Sequence, residues 1–327
     1  MNPPYRCEIC DSEHLSQLHS GEMMFGGSES FLYLKCKNCE TTYQAQKLED
    51  YSKYYPKSYY SFQYQEPKTW SGKVRRLKRR LRNQYYYFNK GFIGRILAQA
   101  RPCPTNHLSR HVHLEMNMSI LEIGCGSGEM LHELGDLGVR RLVGVDPYID
   151  QEIHFDNGVK IYRCDTDDLP ETFRDQQFDL IIFNHSLEHS LTPISDLKIA
   201  RLLLSEGGEI LIRIPVSGSA IANEYRNYWW SLDAPRHIYI FSKKSLPMVA
   251  EKSGLVVCRT HDEGTIDDYI ASEQHKQGIC LLSEQSYVKT KNFSGFSKLQ
   301  LSAWEKDIAL QNHQGTAAQA GFILKRA

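Results

Sequence analysis

The sequence predicts an α/β protein: a mostly parallel, doubly wound sheet with helices on both faces, preceded by a small zinc ribbon. Three observations carry this expectation. Short apolar runs at 120–123, 141–145, 159–164, 178–183 and 209–214 alternate with stretches of helical spacing, which is the rhythm of a parallel sheet. The first run opens into three glycines, Gly124, Gly126 and Gly128. Two Cys-x-x-Cys pairs, Cys7/Cys10 and Cys36/Cys39, stand near the N-terminus with 25 residues between them.

Composition narrows the class. At 327 residues, 41% apolar and 24% charged, the chain is neither disordered nor fibrous and suggests about two domains. No apolar run approaches the roughly 18 residues of a membrane helix. The opening MNPPYRCEIC lacks the apolar segment of a secretory signal. Nine cysteines in such a chain suggest reduced thiols and a cytoplasmic setting.

Charge divides the chain further. The totals are 39 basic and 39 acidic residues. Residues 1–66 hold 6 basic and 9 acidic side chains, residues 67–114 hold 12 basic and no acidic, and residues 115–327 hold 21 and 30. The acid-free stretch must face anions, a lipid surface, or the acidic domain beside it. With Pro67 and the run at 101–104 as punctuation, the expected units are 1–66, 67–114 and 115–327.

The two knuckles can place four thiolates around one structural zinc ion. Residues 14–19 and 31–35 read as the ribbon's strands. Asp11 and Glu40 follow the knuckles where glycine is more usual. Next comes a tyrosine-dense segment with Tyr51, Tyr54, Tyr55, Tyr59, Tyr60, Phe62 and Tyr64, either packing for the ribbon or a lid over a ligand. From Val74 the apolar residues Leu77, Leu81, Tyr85, Phe88, Phe92 and Ile96 form one stripe on an expected helix. Gly91 and Gly94 weaken it, and Lys73 to Arg82 make it basic. Contact with anionic lipid headgroups or with phosphates are its functional options.

In the third unit, the glycine turn lets backbone approach a ligand at the carboxyl end of the first strand. Asp146 ends the second strand, where a carboxylate can accept ribose hydroxyls. Asp165 ends the third, and Asn184 and His185 end the fourth. Gly207 and Gly208 should turn the chain into the fifth.

The segments ILEIGCGSGEML, VGVDPY, CDTDDLP, FDLIIFNHSLEH and LLSEGGEILIRIP, in that order, resemble the class I S-adenosylmethionine-dependent methyltransferases. The resemblance implies a Rossmann-like fold with a mostly parallel seven-stranded sheet, closed by QAGFILKRA as the last antiparallel strand. It implies S-adenosylmethionine as cofactor. Glu122, Gly124, Cys125, Gly126 and Gly128 would surround its methionine part, Asp146 its ribose and Asp165 its adenine, with Pro147, Thr166, Asn184 and His185 alongside. The order of ribbon, YPKSYYSF, basic helix, core and WWSLDAPRHIYIFS also resembles methyltransferases of polysaccharide, deoxysugar and secondary-metabolite pathways. That implies a sugar or glycan acceptor.

An alcohol acceptor is a poor nucleophile until it loses its proton, so a base is expected. His185, Glu188 and His189 would share one helical face after the fourth strand, and His237 lies on the insertion after the fifth. His185 and His237 are the base candidates, with Glu188 as catalytic or supporting carboxylate. His-x-x-Glu-His matches an inverted zinc-protease pattern too, which the strand context overrides. Tyr59, Tyr60, Tyr228, Trp229, Trp230 and Arg236 are the expected acceptor contacts, by aromatic faces and hydrogen bonding. O-methylation and C-methylation both fit. An RNA methyltransferase is the alternative enzyme and a cofactor-binding scaffold the non-enzyme alternative. Cys103, Cys125, Cys164, Cys258 and Cys280 show no ligand spacing and default to buried small residues.

Overall fold

The computed structural model describes residues 5–66, 69–100, 106–291 and 295–327. The expected boundaries at Pro67 and 101–104, with Cys103, lie outside the described residues. The N-terminal ribbon contains β1 (Leu15–Gly21), β2 (Ser30–Cys36) and β3 (Thr42–Gln44). β1 pairs antiparallel with β2 from Leu15↔Cys36 to Gly21↔Ser30. The tyrosine-dense segment follows as two short 3-10 turns, Ser52–Tyr54 and Tyr60–Phe62.

The basic stretch departs from expectation. It forms two helices, α1 (Trp70–Phe88) and α2 (Phe92–Ala100). Asn89 adopts a left-handed φ of 52° and caps α1: its N–H donates to the Tyr85 carbonyl at 2.9 Å and the Lys90 N–H to that of Gln84 at 3.4 Å, and Gly91 follows at φ 92°. An added Cβ on Gly94 would lie 2.2 Å from the Leu81 carbonyl oxygen, so this glycine permits a close helix crossing. The face of α1 toward the core is not the apolar stripe. Asn83 and Tyr87 are its buried residues, and Phe92 and Ile96 of the stripe stay 77% and 52% exposed. Arg76 binds Asp136 at 2.5 Å, and Arg79 binds Glu133 at 2.9 Å. Part of the acid-free stretch thus faces the acidic domain beside it.

After α3 (Asn106–His111), the core runs β4 (Ser119–Ile123), α4 (Glu129–Leu137), β5 (Arg141–Val145), β6 (Ile153–His154), β7 (Lys160–Tyr162), α5 (Leu169–Thr172), β8 (Phe178–Asn184), α6 (Pro193–Leu203) and β9 (Leu204–Pro215). It continues with α7 (Ala220–Tyr225), β10 (Tyr239–Ile240), α8 (Ser245–Lys252), β11 (Leu255–Asp262), α9 (Asp267–Lys276), α10 (Tyr287–Thr290), α11 (Lys298–Gln314) and β12 (Gln319–Arg326). The sheet order is β11-β12-β9-β8-β4-β5-β7-β6. Strands β9, β8, β4, β5 and β7 are parallel, and β12 enters antiparallel between β9 and β11. This is the expected Rossmann-like arrangement, with the two-residue β6 added at one edge. β9 starts at Leu204, before Gly207 and Gly208. Those glycines fall where its register against β8 shifts, between Phe178 and Leu180.

Ile120, Leu121, Leu180, Ile181, Ile182, Ile210, Leu211 and Ile212 are fully buried, each contributing about 1.5–3 kcal/mol. From β4 the chain moves outward through β5 and β7 on one side and returns through β8 and β9 on the other. Ligand crevices form at the carboxyl ends of strands where the order reverses in this way.

The ribbon is stitched to this core. β10, from the insertion after β9, pairs with β3 through Tyr239↔Tyr43 and Ile240↔Thr42, completing a four-stranded sheet β1-β2-β3-β10. No helix among the described residues is long and apolar enough to cross a membrane.

Candidate functional site

The four ribbon cysteines converge. Sγ of Cys7 lies 3.5 Å from that of Cys39, and Sγ of Cys10 lies 3.6 Å from that of Cys36; all four lie within 4.8 Å of one another. Thiolates about 2.3 Å from a tetrahedral zinc ion are about 3.8 Å apart, so the cluster fits that ion. Asp11 and Glu40 adopt φ of 59° and 63°. That is the left-handed turn each knuckle requires, made here without glycine.

The crevice is a cavity of about 510 Å³. The end of β4, the glycine turn and the ends of β5, β7 and β8 form one wall; Tyr51, Tyr55, Tyr59, Tyr60 and Phe62 form another. Of the residues expected around the cofactor, Glu122, Gly124, Cys125, Asp146, Pro147, Asp165, Thr166, Asn184 and His185 line it. Gly126 and Gly128 do not. Both are left-handed, and both serve packing. A Cβ on Gly126 would meet the Ser61 carbonyl oxygen at 2.5 Å, and one on Gly128 would meet Ile161 Cδ1 at 2.5 Å.

The tyrosine-dense segment is latched onto the glycine turn. The Ser61 carbonyl accepts from the Ser127 N–H at 2.9 Å and from its hydroxyl at 2.7 Å. Tyr55 stacks on Tyr148 with ring centroids 4.6 Å apart.

Two carboxylates give the crevice its polarity. Asp146 accepts the N–H groups of Gly126 at 2.8 Å and Tyr148 at 2.9 Å, leaving lone pairs on both oxygens. Burial lifts its pKa above the ordinary value. Glu122 is 3% exposed, and its Oε2 has no hydrogen-bond partner. Burial, then the field of Asp146, raises it to about 8, with Arg213 opposing. A hydroxyl-bearing, cationic nucleoside fits this lining, because its ribose can donate to Asp146 and a positive charge nearby would favour the ionised form of Glu122. Asp165 is exposed and accepts the Thr166 N–H at 2.8 Å, so it caps its own turn as well as lining the cavity.

The histidines do not share a helical face. His185 sits at φ 54°, and only Leu187–His189 form a 3-10 turn. His185 lines the crevice with Nδ1 3.5 Å from Glu188 Oε1. Glu188 is fully buried. Burial pushes its pKa up, but His185, His189 and His237 outweigh that and hold it below the usual carboxylate range. His189 Nδ1 lies 2.9 Å from the Arg236 carbonyl oxygen. That nitrogen must carry the proton, because a carbonyl cannot donate. Burial and His237 lower His189 to about 4. Glu188, His189 and His237 each bring one ligand-type atom within 4.8 Å of the others, as do Glu66, His132 and Asp156.

His237 is a correction. Its Nδ1 is 2.7 Å from the Ser231 carbonyl oxygen, it is 9% exposed, and it does not line the crevice. It backs Glu188, with Nε2 3.9 Å from Oε1. Four acceptor candidates also fall elsewhere. Arg236 is fully buried and binds Asp233 at 2.6 Å and Glu22 at 2.7 Å. Trp230 donates through its indole N–H to Asp268 at 2.9 Å. Trp229 is buried against a different cavity, and Tyr228 is 42% exposed outside the crevice. The insertion folds as short turns held by α9 and the ribbon, which turns these side chains away. Tyr59 and Tyr60 do line the crevice. Cys258 is exposed and Cys125, Cys164 and Cys280 are only half-buried, contrary to their default.

Other residues carried no sequence signal. Arg213 of β9 donates to Asn184 Oδ1 and binds Glu263 at 2.7 Å, fixing the end of β8 from behind. Asp196, on the first turn of α6, lines the crevice and is raised to about 6 by burial. Tyr55 and Tyr148 were visible as residues, but their stacking joins segments far apart in sequence.

Residues 89–260 match the family model described as a methyltransferase domain, slightly more than half of the 327 residues. A tRNA U34 carboxymethyltransferase of Aliivibrio salmonicida is 29% identical over 167 residues, covering 47% of this chain and 49% of that protein. One of Nautilia profundicola is 25% identical over 114 residues, covering 33% and 37%. The matches thus span between about a third and a half of these curated relatives. A solved S-adenosylmethionine-dependent methyltransferase of Geobacter sulfurreducens, in complex with S-adenosyl-L-homocysteine, aligns at 16% identity and TM-score 0.37, over 69% of this chain and 92% of that one.

Proposed function

The chain belongs to the methyltransferase-domain family and is an S-adenosylmethionine-dependent methyltransferase; on that premise we propose that it methylates a hydroxyl of a sugar, sugar nucleotide or glycan. One observation carries the reading: His185, Tyr59 and Tyr60 line a single crevice with the ends of β4, β5, β7 and β8. Aromatic faces suit the apolar face of a sugar ring, and a histidine suits its hydroxyl.

The cofactor, when bound, supplies an electrophilic methyl group. The chain's own residues do the rest. Asp146 and Glu122 orient the nucleoside. The tyrosine segment, latched through Ser61, limits access of water and sets the distance of approach, where much of the rate enhancement in such a displacement arises. His185 takes the hydroxyl proton. Glu188 holds the His185 ring and is itself backed by His237. The same base would serve C-methylation.

Turnover of candidate acceptors by the wild type and by His185→Ala tests this. The expected loss is about 10²–10⁴-fold with cofactor affinity unchanged. Unchanged turnover rules out the base.

A second reading is an RNA methyltransferase. It is supported by the names of the partial relatives and by the exposed Lys73, Arg75, Lys78 and Arg80 on α1. RNA affinity that falls steeply with salt would favour it. Cofactor binding with no product from any acceptor would favour a scaffold instead. The same four cations support docking on anionic lipid; vesicle binding that ignores anionic lipid content argues against it.

A further inference from the structure

A second cavity of about 610 Å³ opens where the ribbon meets the insertion after β9. It shares no lining residue with the crevice. Its ionisable lining is Lys35, Lys37 and Arg226, three positive charges, beside Glu40 and the zinc-ligand candidate Cys36. The one carboxylate on its wall, Glu40, is already bound by Lys244 at 2.6 Å. Lys35 Nζ donates to Asn223 Oδ1 at 2.5 Å, a neutral amide. The side chains of Lys37 and Arg226 make no hydrogen bond or ion pair with any described residue.

The backbone gives an independent indication. Arg226 sits at φ 52°, ψ −114°, a conformation open to glycine and strained for any residue with a Cβ. Such strain costs about 1–3 kcal/mol, persists only where the surrounding structure over-determines the backbone, and gathers at ligand sites. Here the strained residue puts a guanidinium on the wall of the cavity. Leu18 and the edges of the largely buried Trp229 and Leu232 line its apolar side.

We propose that this cleft binds a small phosphate-bearing ligand of the nucleoside diphosphate class. The phosphates meet Arg226, Lys35 and Lys37, which line the one cleft, because guanidinium and ammonium groups are the side chains that recognise phosphate. The nucleoside body lies on the apolar wall. The volume is in the range of small-molecule sites, and the three cations line one cleft. The proposal is independent of the acceptor assigned above.

The test is calorimetry on the full-length, zinc-loaded protein at low ionic strength, with S-adenosylhomocysteine present to fill the crevice. The probes are uridine diphosphate, uridine, pyrophosphate and a short single-stranded RNA. Uridine diphosphate should bind at least tenfold tighter than uridine or pyrophosphate. Arg226→Gly should weaken it at least tenfold while thermal stability stays level or rises, because glycine relieves the strain. Lys37→Glu should weaken it as much. Absence of binding, or affinity unchanged in both variants, overturns the proposal. So does pyrophosphate as tight as the nucleotide, which would leave only an anion site. RNA binding tighter than uridine diphosphate and lost equally in both variants overturns it in favour of a nucleic-acid surface.

Discussion

Replacing Glu263 by Gln tests how the crevice is held from behind. Glu263 accepts from Arg213 at 2.7 Å and lies 3.3 Å from His111 Nε2. Arg213 and Glu263 are 8% and 7% exposed. Removing one partner of a buried ion pair leaves the other charge stranded, typically at about 3–5 kcal/mol. The pH dependence is more specific. Burial opposes the shift, but His111 and Arg213 together lower Glu263 from 4.5 to about 2. A carboxylate depressed in the folded state stabilises the protein fully above its unfolded pKa and loses that contribution as pH falls through the folded value. The difference of about 2.5 units corresponds to about 3 kcal/mol at neutral pH. Between about pH 7 and pH 3 the wild type should lose about 2 kcal/mol of it, and Glu263→Gln none. Urea unfolding of both proteins at the two pH values measures this. Zinc loss at the acid end affects both and cancels in the difference. The stability gap should therefore narrow by about 2 kcal/mol toward pH 3. A gap independent of pH refutes the ionised pair. Because Arg213 also holds Asn184, the variant should bind cofactor more weakly at neutral pH.

Gly126→Ala should weaken S-adenosylmethionine binding at least tenfold and lower the melting temperature, because the new Cβ would meet the Ser61 carbonyl. Gly158→Ala, also at positive φ but with nothing within 4 Å, should melt slightly lower and bind normally. Cys36→Ser should abolish stoichiometric zinc by elemental analysis and destabilise the ribbon by several kcal/mol, since structural zinc supplies about 10–16 kcal/mol of folding energy in small modules. Tyr55→Phe keeps the stack on Tyr148 and loses the hydroxyl contact to His189 at 3.0 Å. Its cost should be about 1 kcal/mol in kcat/KM, with Tyr55→Ala costing more.

What the sequence disclosed followed from local periodicity. Apolar runs of strand length place Asp146, Asp165 and Asn184 at strand ends, and those ends meet because parallel strands in one sheet share a direction. The cysteine spacing likewise contains its own geometry. Contacts between distant segments left no such trace. The apolar stripe continues across Asn89 and Gly91, so a reading by period runs two helices into one. The left-handed turn at Asn89 and Gly91 and the approach of Gly94 to the Leu81 carbonyl reveal the hairpin. Trp229, Trp230, Arg236 and His237 have the composition of a binding loop. Their orientation is set by α9 and by Glu22 of the ribbon, more than 200 residues from Arg236 in sequence. Arg213 was masked for the same reason: within an apolar strand it is a single anomaly until Glu263 is seen beside it.

The central claim is that a nucleoside sulfonium occupies the crevice with its ribose on Asp146. Isothermal titration of the zinc-loaded protein with S-adenosylmethionine, beside a correctly folded Asp146→Ala variant, tests it most directly. A one-to-one binding heat in the wild type, weakened about ten- to hundredfold in the variant as expected for lost charged hydrogen bonds, is the predicted result. No heat in the wild type, or equal affinity in the two proteins, contradicts it.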